Sequence, residues 1–501
     1  MNKQSKKIIN IYILLSLIFW VITFRHIPAE FLDLGGDSAQ YIIIAETLAQ
    51  GRGLRMVNYP GEPFSNQPPV LSLLLMPILF FWGRNIWLMG FLISLLGYLS
   101  LIFFYWIFRD SEDKKTALAA VAFLAINNLF GLYSIRILTD IPFLFLSAFS
   151  LFFLCKYKNR QSFLNKEGFL TVIGLAALYL CRYIGVLLFL ISLFSLLSGA
   201  AYFSRKMQFK KALFLASTYL PIFLFWNIRN LNIRNPYIAS PANYELYLKL
   251  IAGKPELLFS RFMDGINFYF SVTAETAFTF FINKFRSPVF LNLFLIVITA
   301  VILTGLWREI MRKRGLFASY FVLYLILISL WPYREGEGGR YLIPILPFSL
   351  FYFILGLKKI TNSLPKTMGF IYPLVISSIF VSQILLLPIK KYSLPEIPLP
   401  LRNFILLHKW IKTTLPPEGI IISRKPTVTY FFTNHKSAGY PFIPNPDEIW
   451  QGLSKHNAEY LIVDEFSRET YYYLSPLLYK YKDRLTLLYR RGDTGLFKII
   501  R

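Results

Sequence analysis

One acidic residue stands in a polar stretch that separates two apolar blocks of the chain. Asp37 lies in the sequence Gly-Gly-Asp-Ser-Ala-Gln-Tyr at residues 35–41, which holds few charges. A carboxylate in such a loop can accept the proton of a hydroxyl or an amine as that group attacks an activated carbon. The spacing of Asp37 and Gln40 also resembles a capping box, in which the acid caps a helix. The two roles are compatible, because a cap would fix the carboxylate in place.

A second acid, Asp140, begins an apolar segment and follows Arg136 by four residues. At that spacing on a helix the two side chains could pair with each other, and Asp140 could instead be a helix N-cap. Ionisable residues beside a membrane are costly enough to indicate function. In the functional interpretation, Asp140 assists Asp37 while Arg136 faces an anionic group.

Several cations stand at the predicted outer ends of apolar segments, where the positive-inside bias makes positive charge less expected. They are Arg182 beside Tyr183, Arg229 beside Asn230, Lys284 with Arg286, and Arg340 beside Tyr341. Arginine binds phosphate through paired donors, so the set predicts a phosphate-binding surface. The alternative for each cation is a side chain that reaches toward lipid headgroups.

No strong signal for a metal or a cofactor is present. The four histidines are scattered and make no ligand spacing. The acidic turn at 335–340 could bind a divalent cation, or it could be a solvated turn. The chain has no phosphate-cradling glycine loop and no nucleophile elbow. We therefore predict neither metal nor cofactor, and we interpret Cys155 and Cys181 as small core residues.

The composition places these residues in a membrane protein. The 501 residues are 55% hydrophobic, 18% aromatic and 16% charged, with a formal net charge of +26. Such a charge in a soluble protein would indicate nucleic acid. Here the Lys and Arg residues cluster in short loops between apolar runs, as the positive-inside bias requires. We therefore predict no nucleic-acid partner.

The apolar runs predict about eleven membrane-spanning helices. The predicted spans are 8–27, 86–108, 116–134, 140–155, 168–181, 184–204, 212–228, 289–307, 316–332, 341–357 and 367–388. The apolar run 70–81 is left out, because only then do all the basic loops fall on one side. It is also about a dozen residues long, which is typical of an interfacial or re-entrant segment. The predicted location is the cytoplasmic (inner) membrane. In this topology the chain starts on the cytoplasmic side and ends on the outer side.

This topology puts the candidate residues on the outer face, together with two long loops. Within the loop 28–85, the spacing of apolar residues predicts a helix over 38–50. Within the loop 229–288, it predicts amphipathic helices over 243–250 and 255–270. After about residue 388, strand-like and helix-like pieces alternate, as in a small soluble α/β domain. The predicted domains are therefore a transmembrane domain over 1–388 and an extracytoplasmic α/β domain over 389–501.

Eight short motifs, in this order, carry a resemblance to a known family. They are Gly36-Asp37-Ser-Ala-Gln-Tyr41, Gly51-Arg52-Gly53, Gln67-Pro68-Pro69, Arg136-Ile-Leu-Thr-Asp140-Ile-Pro142, Arg182-Tyr183-Ile-Gly185, Trp226-Asn-Ile-Arg229-Asn230, Arg340-Tyr341-Leu-Ile-Pro344 and Tyr460-Leu-Ile-Val-Asp464. On these residues the chain resembles the integral-membrane glycosyltransferases of GT-C type, in the family 39 and aminoarabinose-transferase-like group. The resemblance covers most of the chain.

The resemblance implies inverting transfer of a hexosyl or pentosyl group from a polyprenyl-phosphate carrier to a lipid, glycan or protein acceptor. Asp37 matches the family's catalytic acid, as general base, with Asp140 as a second catalytic residue. The residues implied in binding the donor phosphate and the substrate are Tyr41, Arg136, Arg182, Tyr183, Arg229, Lys284, Arg340 and Tyr341. The bundle and the interfacial helices would hold the lipid tail.

The chain departs from the family pattern at two positions. Ser38 stands where several relatives have a second acid, and Gln67 stands where many have a Lys. Arg84 or Lys284 would have to replace that missing cation. Two other classes of function stay open, namely a transporter or flippase for lipid-linked glycans and a non-catalytic scaffold. A transporter would predict broken helices in matched halves and ionisable groups near the midplane.

Overall fold

The computed structural model describes residues 19–20, 36–198, 204–233, 254–278, 287–312, 315–331, 338–389, 398–465 and 468–500. These residues form eighteen α-helices and a five-stranded sheet. The helices are α1 Asp37–Ala49, α2 Val70–Trp82, α3 Ile86–Ser111, α4 Lys114–Ala125, α5 Asn128–Tyr133, α6 Asp140–Lys158, α7 Lys166–Tyr179, α8 Val186–Leu197, α9 Arg205–Leu231, α10 Pro255–Ala277, α11 Pro288–Met311, α12 Gly315–Leu330, α13 Leu346–Asn362, α14 Ile371–Ile389, α15 Leu399–Thr414, α16 Pro426–Thr433, α17 Pro446–Lys455 and α18 Arg468–Lys480. The strands are β1 Ile421–Ile422, β2 Ser437–Ala438, β3 Tyr460–Val463, β4 Leu485–Arg491 and β5 Thr494–Ile499.

Two compact units divide the chain, and each is built from separate stretches of sequence. The first, the helical unit, comprises Met1–Pro28, Gly90–Ile228 and Pro241–Lys391. The second, the loop unit, comprises Ala29–Met89, Arg229–Ser240 and Tyr392–Arg501. The predicted boundary at 388/389 kept the outer loop with the transmembrane helices, whereas the structure groups residues 29–89 with the C-terminal residues. The physical reason is a hydrophobic core that these two stretches share.

The helical unit agrees with the predicted apolar runs. From residue 86 onward, a helix lies within or across every predicted span. Four helices of the described residues are long and apolar enough to cross a membrane, namely α3, α6, α9 and residues Val289–Met311 of α11. The chain is therefore a membrane-embedded protein, while the total of about eleven crossings stays a prediction. Of the first predicted span, 8–27, only residues 19–20 are described.

The predicted span 116–134 is not one continuous helix. It consists of α4 and the short α5, separated at Ile126 and Asn127. The Asn127 side-chain oxygen accepts hydrogen bonds from the backbone N–H groups of Leu129 (3.0 Å) and Phe130 (3.2 Å), so it is the N-cap of α5. Asparagine competes in this way for backbone donors and interrupts helices. The predicted span 116–134 is therefore divided between two helices.

Close backbone contact joins α11 to α13 in the helical unit. A Cβ added at Gly305 would lie 1.9 Å from the Tyr352 carbonyl oxygen, and one added at Gly356 would lie 1.9 Å from that of Val301. Only glycine fits at both positions, since any side chain would overlap the facing backbone. The predicted amphipathic helix 255–270 is present as α10 and is longer than expected, whereas 243–250 lies outside the described residues.

In the loop unit, α1 and α2 form a helical pair at the start. Helix α1 confirms the predicted helix over 38–50, and it is followed by Gly51 at a φ of +72°. Helix α2 covers the apolar run 70–81 and has thirteen residues, which is too short to cross a bilayer. Its Phe80 and Trp82 side chains are exposed while Leu75 is buried. That distribution agrees with an interfacial helix.

The C-terminal part of the loop unit is the predicted α/β domain. Its strand order is β2-β1-β3-β5-β4, with β1 parallel to both β2 and β3 and with antiparallel pairs at β3–β5 and β4–β5. Side chains of the 29–89 stretch enter its core, where Ile44, Met56 and Tyr59 join a buried cluster with Leu461 and other residues of the domain. The domain is therefore the packing partner of the loop that carries Asp37.

Candidate active site

Asp37 is the first residue of α1, and Gly36 is the N-cap. Gly36 has a φ of +104°, a conformation that side chains disfavour, and this turn leads the chain into the helix. The prediction of Asp37 as the cap of a capping box was therefore wrong. As the first helical residue, the half-buried Asp37 lies at the positive end of the helix dipole, which stabilises a negative charge.

The Asp37 turn, residues 36–41, is held by two other elements of the loop unit. The hydroxyl of Thr427, in α16, donates to the Gly36 carbonyl oxygen at 3.3 Å. The Ser72 hydroxyl, in α2, donates to the carbonyl oxygen of Tyr41 at 3.0 Å. These two bonds attach the start of α1 to the α/β domain on one side and to the apolar helix on the other. The backbone that carries the carboxylate is thus positioned by tertiary contacts.

Arg84 links the same elements at the far end of α1. Its guanidinium lies 2.8 Å from the Glu46 carboxylate and donates to the Phe431 carbonyl oxygen and to the Asn434 side-chain oxygen, both at 2.8 Å. A guanidinium that bonds three protein acceptors is a structural cation. That Arg84 replaces the cation missing at Gln67 stays a prediction. The sequence showed no pairing with Glu46, because the two residues are far apart along the chain.

Arg229 belongs to the loop unit and contacts the stretch 29–89 of the same unit. It donates to the Ser65 carbonyl oxygen at 3.1 Å and to the Asn230 side-chain oxygen at 2.9 Å. Ser65 immediately precedes the Asn-Gln-Pro-Pro sequence. Arg229 thus positions the loop in this structure. Lys284 lies outside the described residues.

In the helical unit, Asp140 forms an ion pair that the sequence did not predict. It is the first residue of α6, and Thr139 is the N-cap. Its carboxylate lies 2.8 Å from the guanidinium of Arg182, and the two side chains are 2% and 15% exposed. The two structural alternatives for Asp140, a pair with Arg136 and an N-cap role, are not observed among the described residues. Buried carboxylates need a partner, and the turn between α7 and α8 supplies Arg182.

Arg182 is the centre of a larger group, the arginine cluster, which comprises Asp140, Arg182, Arg340 and Tyr341. The Arg182 guanidinium lies 5.5 Å from the centre of the Tyr341 ring, and that of Arg340 lies 5.3 Å from the same ring. Arg182 also stands 5.8 Å from the Phe143 ring. Two guanidinium groups therefore lie beside one ring, and guanidinium groups bind phosphate through paired donors.

The remaining predicted residues of the helical unit lie in neighbouring turns. The guanidinium of Arg136 stands 5.0 Å from the Tyr133 ring, in the turn between α5 and α6. Tyr183 is 45% exposed, and its hydroxyl accepts a hydrogen bond from the Trp226 indole at 3.4 Å. The structure brings together Tyr341 and Arg182, which the sequence predicted as site residues in separate motifs. The pairing of Asp140 with Asp37 stays a prediction, since the two acids belong to different units.

Residues 66–226 match the family model described as dolichyl-phosphate-mannose-protein mannosyltransferase. No curated protein sequence matches the chain significantly. Among solved structures, the chain is similar to the archaeal oligosaccharyltransferase AglB from Archaeoglobus fulgidus, in complex with an inhibitory peptide and a dolichol-phosphate. The identity is 13%, the match covers 98% of this chain and 74% of that one, and the TM-score is 0.61.

A second similar structure is that of ArnT from Cupriavidus metallidurans, bound to undecaprenyl phosphate. The identity is 12%, 97% of each chain is covered, and the TM-score is 0.59. Both structures are of GT-C glycosyltransferases. They confirm the fold that the motifs indicated, with a mainly helical membrane part and a small C-terminal sheet. The chain therefore has the fold of the GT-C membrane glycosyltransferases.

Proposed function

We propose that this chain transfers a sugar from a polyprenyl-phosphate-linked donor to a lipid, glycan or protein acceptor. The fold supports this class of reaction, and the two similar proteins were solved with dolichol-phosphate and with undecaprenyl phosphate. The matching family model, over 66–226, is also that of a sugar transferase with a lipid-phosphate donor. The proposed location is the outer face of the cytoplasmic membrane, with the N-terminus inside and the C-terminal domain outside.

The observation that carries the proposal is the placement of Asp37. It is a half-buried acid at the first position of a helix, on a turn that Thr427 and Ser72 hold in place. A general base must be fixed within hydrogen-bond reach of the proton it takes. The rigid attachment of this turn supplies such positioning in the loop after the first predicted span.

In the proposed reaction, an acceptor hydroxyl or amine attacks the anomeric carbon of the donor sugar from the face opposite the phosphate. The new bond forms as the bond between that carbon and the phosphate oxygen breaks, so the configuration inverts. Asp37 takes the proton of the attacking group, and the polyprenyl phosphate leaves with the bonding electron pair. Charge then develops on the leaving phosphate, where cations stabilise it most.

The arginine cluster is the proposed site for that phosphate. Arg182 and Arg340 flank Tyr341, and two guanidinium groups at one ring offer the paired donors that bind a phosphate. We assign Arg136, Tyr183, Tyr41, Arg229 and Lys284 to the surroundings of the donor, with Arg229 acting through the loop at Ser65. The reaction as proposed uses no metal. Among the described residues no group of three or more His, Cys, Asp or Glu side chains could hold one, and the acidic turn with Glu335 lies outside them.

The test is an Asp37→Asn variant in membranes supplied with a labelled polyprenyl-phosphate sugar. We expect transfer to fall by about 10²–10⁴-fold, because the base is lost while the shape is kept. Asp447→Asn is the matched control, since Asp447 is an exposed acid elsewhere in the loop unit. Undiminished transfer by a folded Asp37→Asn protein would remove Asp37 from the catalytic role.

A second candidate, transport of lipid-linked glycans, is favoured by one observation. Asn127 interrupts the helical run of α4 and α5, and interrupted spans are common in transporters. A transporter would move the labelled lipid across the membrane and leave the bond between sugar and phosphate intact. Release of free polyprenyl phosphate in the same assay therefore decides between the two functions.

A further inference from the structure

A cavity of about 610 Å³ lies inside the helical unit, away from the arginine cluster. It is lined by the last turns of α3, α6, α8 and α11 and by the first turns of α9 and α12. Helix α6 carries Asp140 at its first residue and Lys158 at its last. A helical rise of 1.5 Å per residue puts these ends roughly 27 Å apart. The cavity is therefore at the end of the bundle that the basic loops predict to be cytoplasmic.

The polar lining of this cavity favours an anion. Lys156 and Lys158 both contribute, and neither forms an ion pair with a described residue. Lys158 donates to the Ser195 hydroxyl at 2.7 Å, and the Lys156 ammonium stands 4.1 Å from the Phe152 ring. The single carboxylate of the lining is Asp110, which Arg109 pairs at 2.8 Å. The excess charge in the cavity is thus positive.

A buried amide also points to a ligand. The Gln208 side chain lines the cavity and is only 5% exposed. Its oxygen accepts no hydrogen bond from any described residue. A buried polar atom without a partner costs free energy unless something binds it. Hydroxyl groups of a ligand would satisfy this acceptor, and Ser195, Ser198 and Asn159 offer further polar contacts.

The apolar lining shows from which side the ligand enters. Phe194 and Ile310 line the cavity and are also 68% and 44% exposed. Leu197 and Met311, next to them in the helices, are exposed as well. In a membrane protein this exposed apolar surface faces lipid. The cavity is thus continuous with the lipid-facing surface, which favours a membrane lipid over a soluble phosphate.

We propose that this cavity binds the phosphodiester headgroup of an anionic membrane lipid that bears free hydroxyls. Lys156 and Lys158 bind the phosphate, and the Gln208 side-chain oxygen accepts a hydrogen bond from a headgroup hydroxyl. Phe194 and Ile310 contact the part of an acyl chain nearest the headgroup. Basic pockets between helices on the cytoplasmic side bind anionic lipids in this way. The site is separate from the proposed donor site, so it can be occupied at the same time.

The test uses the full-length protein in detergent, with bound lipid counted by native mass spectrometry. The probes are phosphatidylglycerol and phosphatidylcholine with identical acyl chains. We expect wild type to prefer phosphatidylglycerol and Lys156→Gln/Lys158→Gln to bind it about tenfold more weakly. The matched control is Lys114→Gln/Lys115→Gln, which removes two exposed lysines at the same end of the bundle. An equal loss in the control, or no lipid preference in wild type, would overturn the proposal.

Two further measurements test the proposal independently of the Lys156→Gln/Lys158→Gln variant. Gln208→Leu keeps the charge and should weaken phosphatidylglycerol binding several-fold, because the headgroup hydroxyl loses its acceptor. Unchanged binding by this variant contradicts the proposed role of the amide. Inorganic phosphate is then added as a competitor at the concentration of the lipid. We expect no displacement, whereas full displacement would identify a site for soluble phosphate and overturn the lipid assignment.

Discussion

Asp37 and Asp140 are both the first residue of a helix, yet their surroundings differ completely. Asp140 is 2% exposed and ion-paired with Arg182, so its charge is already neutralised. Asp37 is only half-buried, and the Thr427 hydroxyl holds its turn through the Gly36 carbonyl oxygen. A base must exchange its proton with an acceptor, whereas a carboxylate within an ion pair organises the cation beside it. We therefore propose proton transfer as the role of Asp37 and the positioning of Arg182 as a role of Asp140.

The largest expected effect is on the stability of the helical unit. Asp140→Ala would leave the Arg182 guanidinium buried without its carboxylate, which typically costs about 3–5 kcal/mol. The matched change is Asp110→Ala, which removes the carboxylate of the exposed pair with Arg109 and should cost about 0–1 kcal/mol. Thermal unfolding of the two purified proteins measures the difference. Equal unfolding temperatures would show that the Asp140–Arg182 pair is not a buried pair in the protein.

The stability of the two units should depend differently on pH. Burial lowers the pKa of His408, in α15, to about 4, although its bond to the Phe404 carbonyl oxygen opposes the shift. As the pH falls, His408 therefore takes up a proton near pH 6.5 in the unfolded state but only near pH 4 in the folded state. The resulting stability is present above pH 6.5 and is lost as the pH falls toward 4, by about 3 kcal/mol in total.

Hydrogen exchange of the full-length protein, corrected for the intrinsic rate, tests this expectation. Peptides of α15 should lose protection between pH 6.5 and 4 in wild type, and His408→Gln should flatten that dependence. Helix α6, with the Asp140 pair, should change less over the same range. A parallel loss of protection in α6 and α15 would contradict separate responses of the two units.

A smaller effect is expected at the turn before Asp37. Gly36→Ala would place a side chain at a φ of +104°, at a cost of about 1–3 kcal/mol. The control is Gly51→Ala, at a φ of +72° just after the end of the same helix, where no atom lies within 4 Å of the added Cβ. Both variants should lose stability, but only Gly36→Ala should also lower kcat. Equal kcat values would show that the geometry of the turn does not matter to the reaction.

The smallest expected effect concerns one hydrogen bond. Thr427→Val removes the donor to the Gly36 carbonyl oxygen and should cost about 1 kcal/mol. We expect kcat to fall several-fold with little change in KM for the donor, because the base is less well positioned. Thr427→Ser keeps the hydroxyl and should restore most of the activity. A valine variant with wild-type kcat would show that this bond does not position Asp37.

Much of the fold follows from local sequence patterns. The apolar runs from residue 86 onward, the helix after Asp37 and the alternating elements of the C-terminal domain all depend on neighbouring residues, so their types could be predicted. The break at Asn127 could have been inferred from its capping chemistry, but the surrounding apolar run conceals it. The span count depends on the membrane and stays a prediction.

The candidate site depends on contacts between distant residues, which sequence patterns do not reveal. Arg182 is 42 positions from Asp140, whereas the four-residue spacing on a helix offered only the closer Arg136 as a partner. Thr427 is 391 positions from Gly36, and nothing in its own surroundings marks it as part of the Asp37 turn. The cap assignments were wrong at both acids for one reason. The residue before each acid, Gly36 or Thr139, already makes the turn into the helix.

The most direct test of the different roles of the two acids compares Asp37→Asn with Asp140→Asn in one experiment. Binding of a polyprenyl-phosphate sugar and its transfer are measured on the same purified proteins. We expect Asp37→Asn to bind the donor like wild type and to transfer about 10²–10⁴-fold more slowly. Asp140→Asn should bind the donor more weakly, because Arg182 is no longer held in place. The opposite result, with weak binding in Asp37→Asn and normal binding with slow transfer in Asp140→Asn, would contradict these assignments.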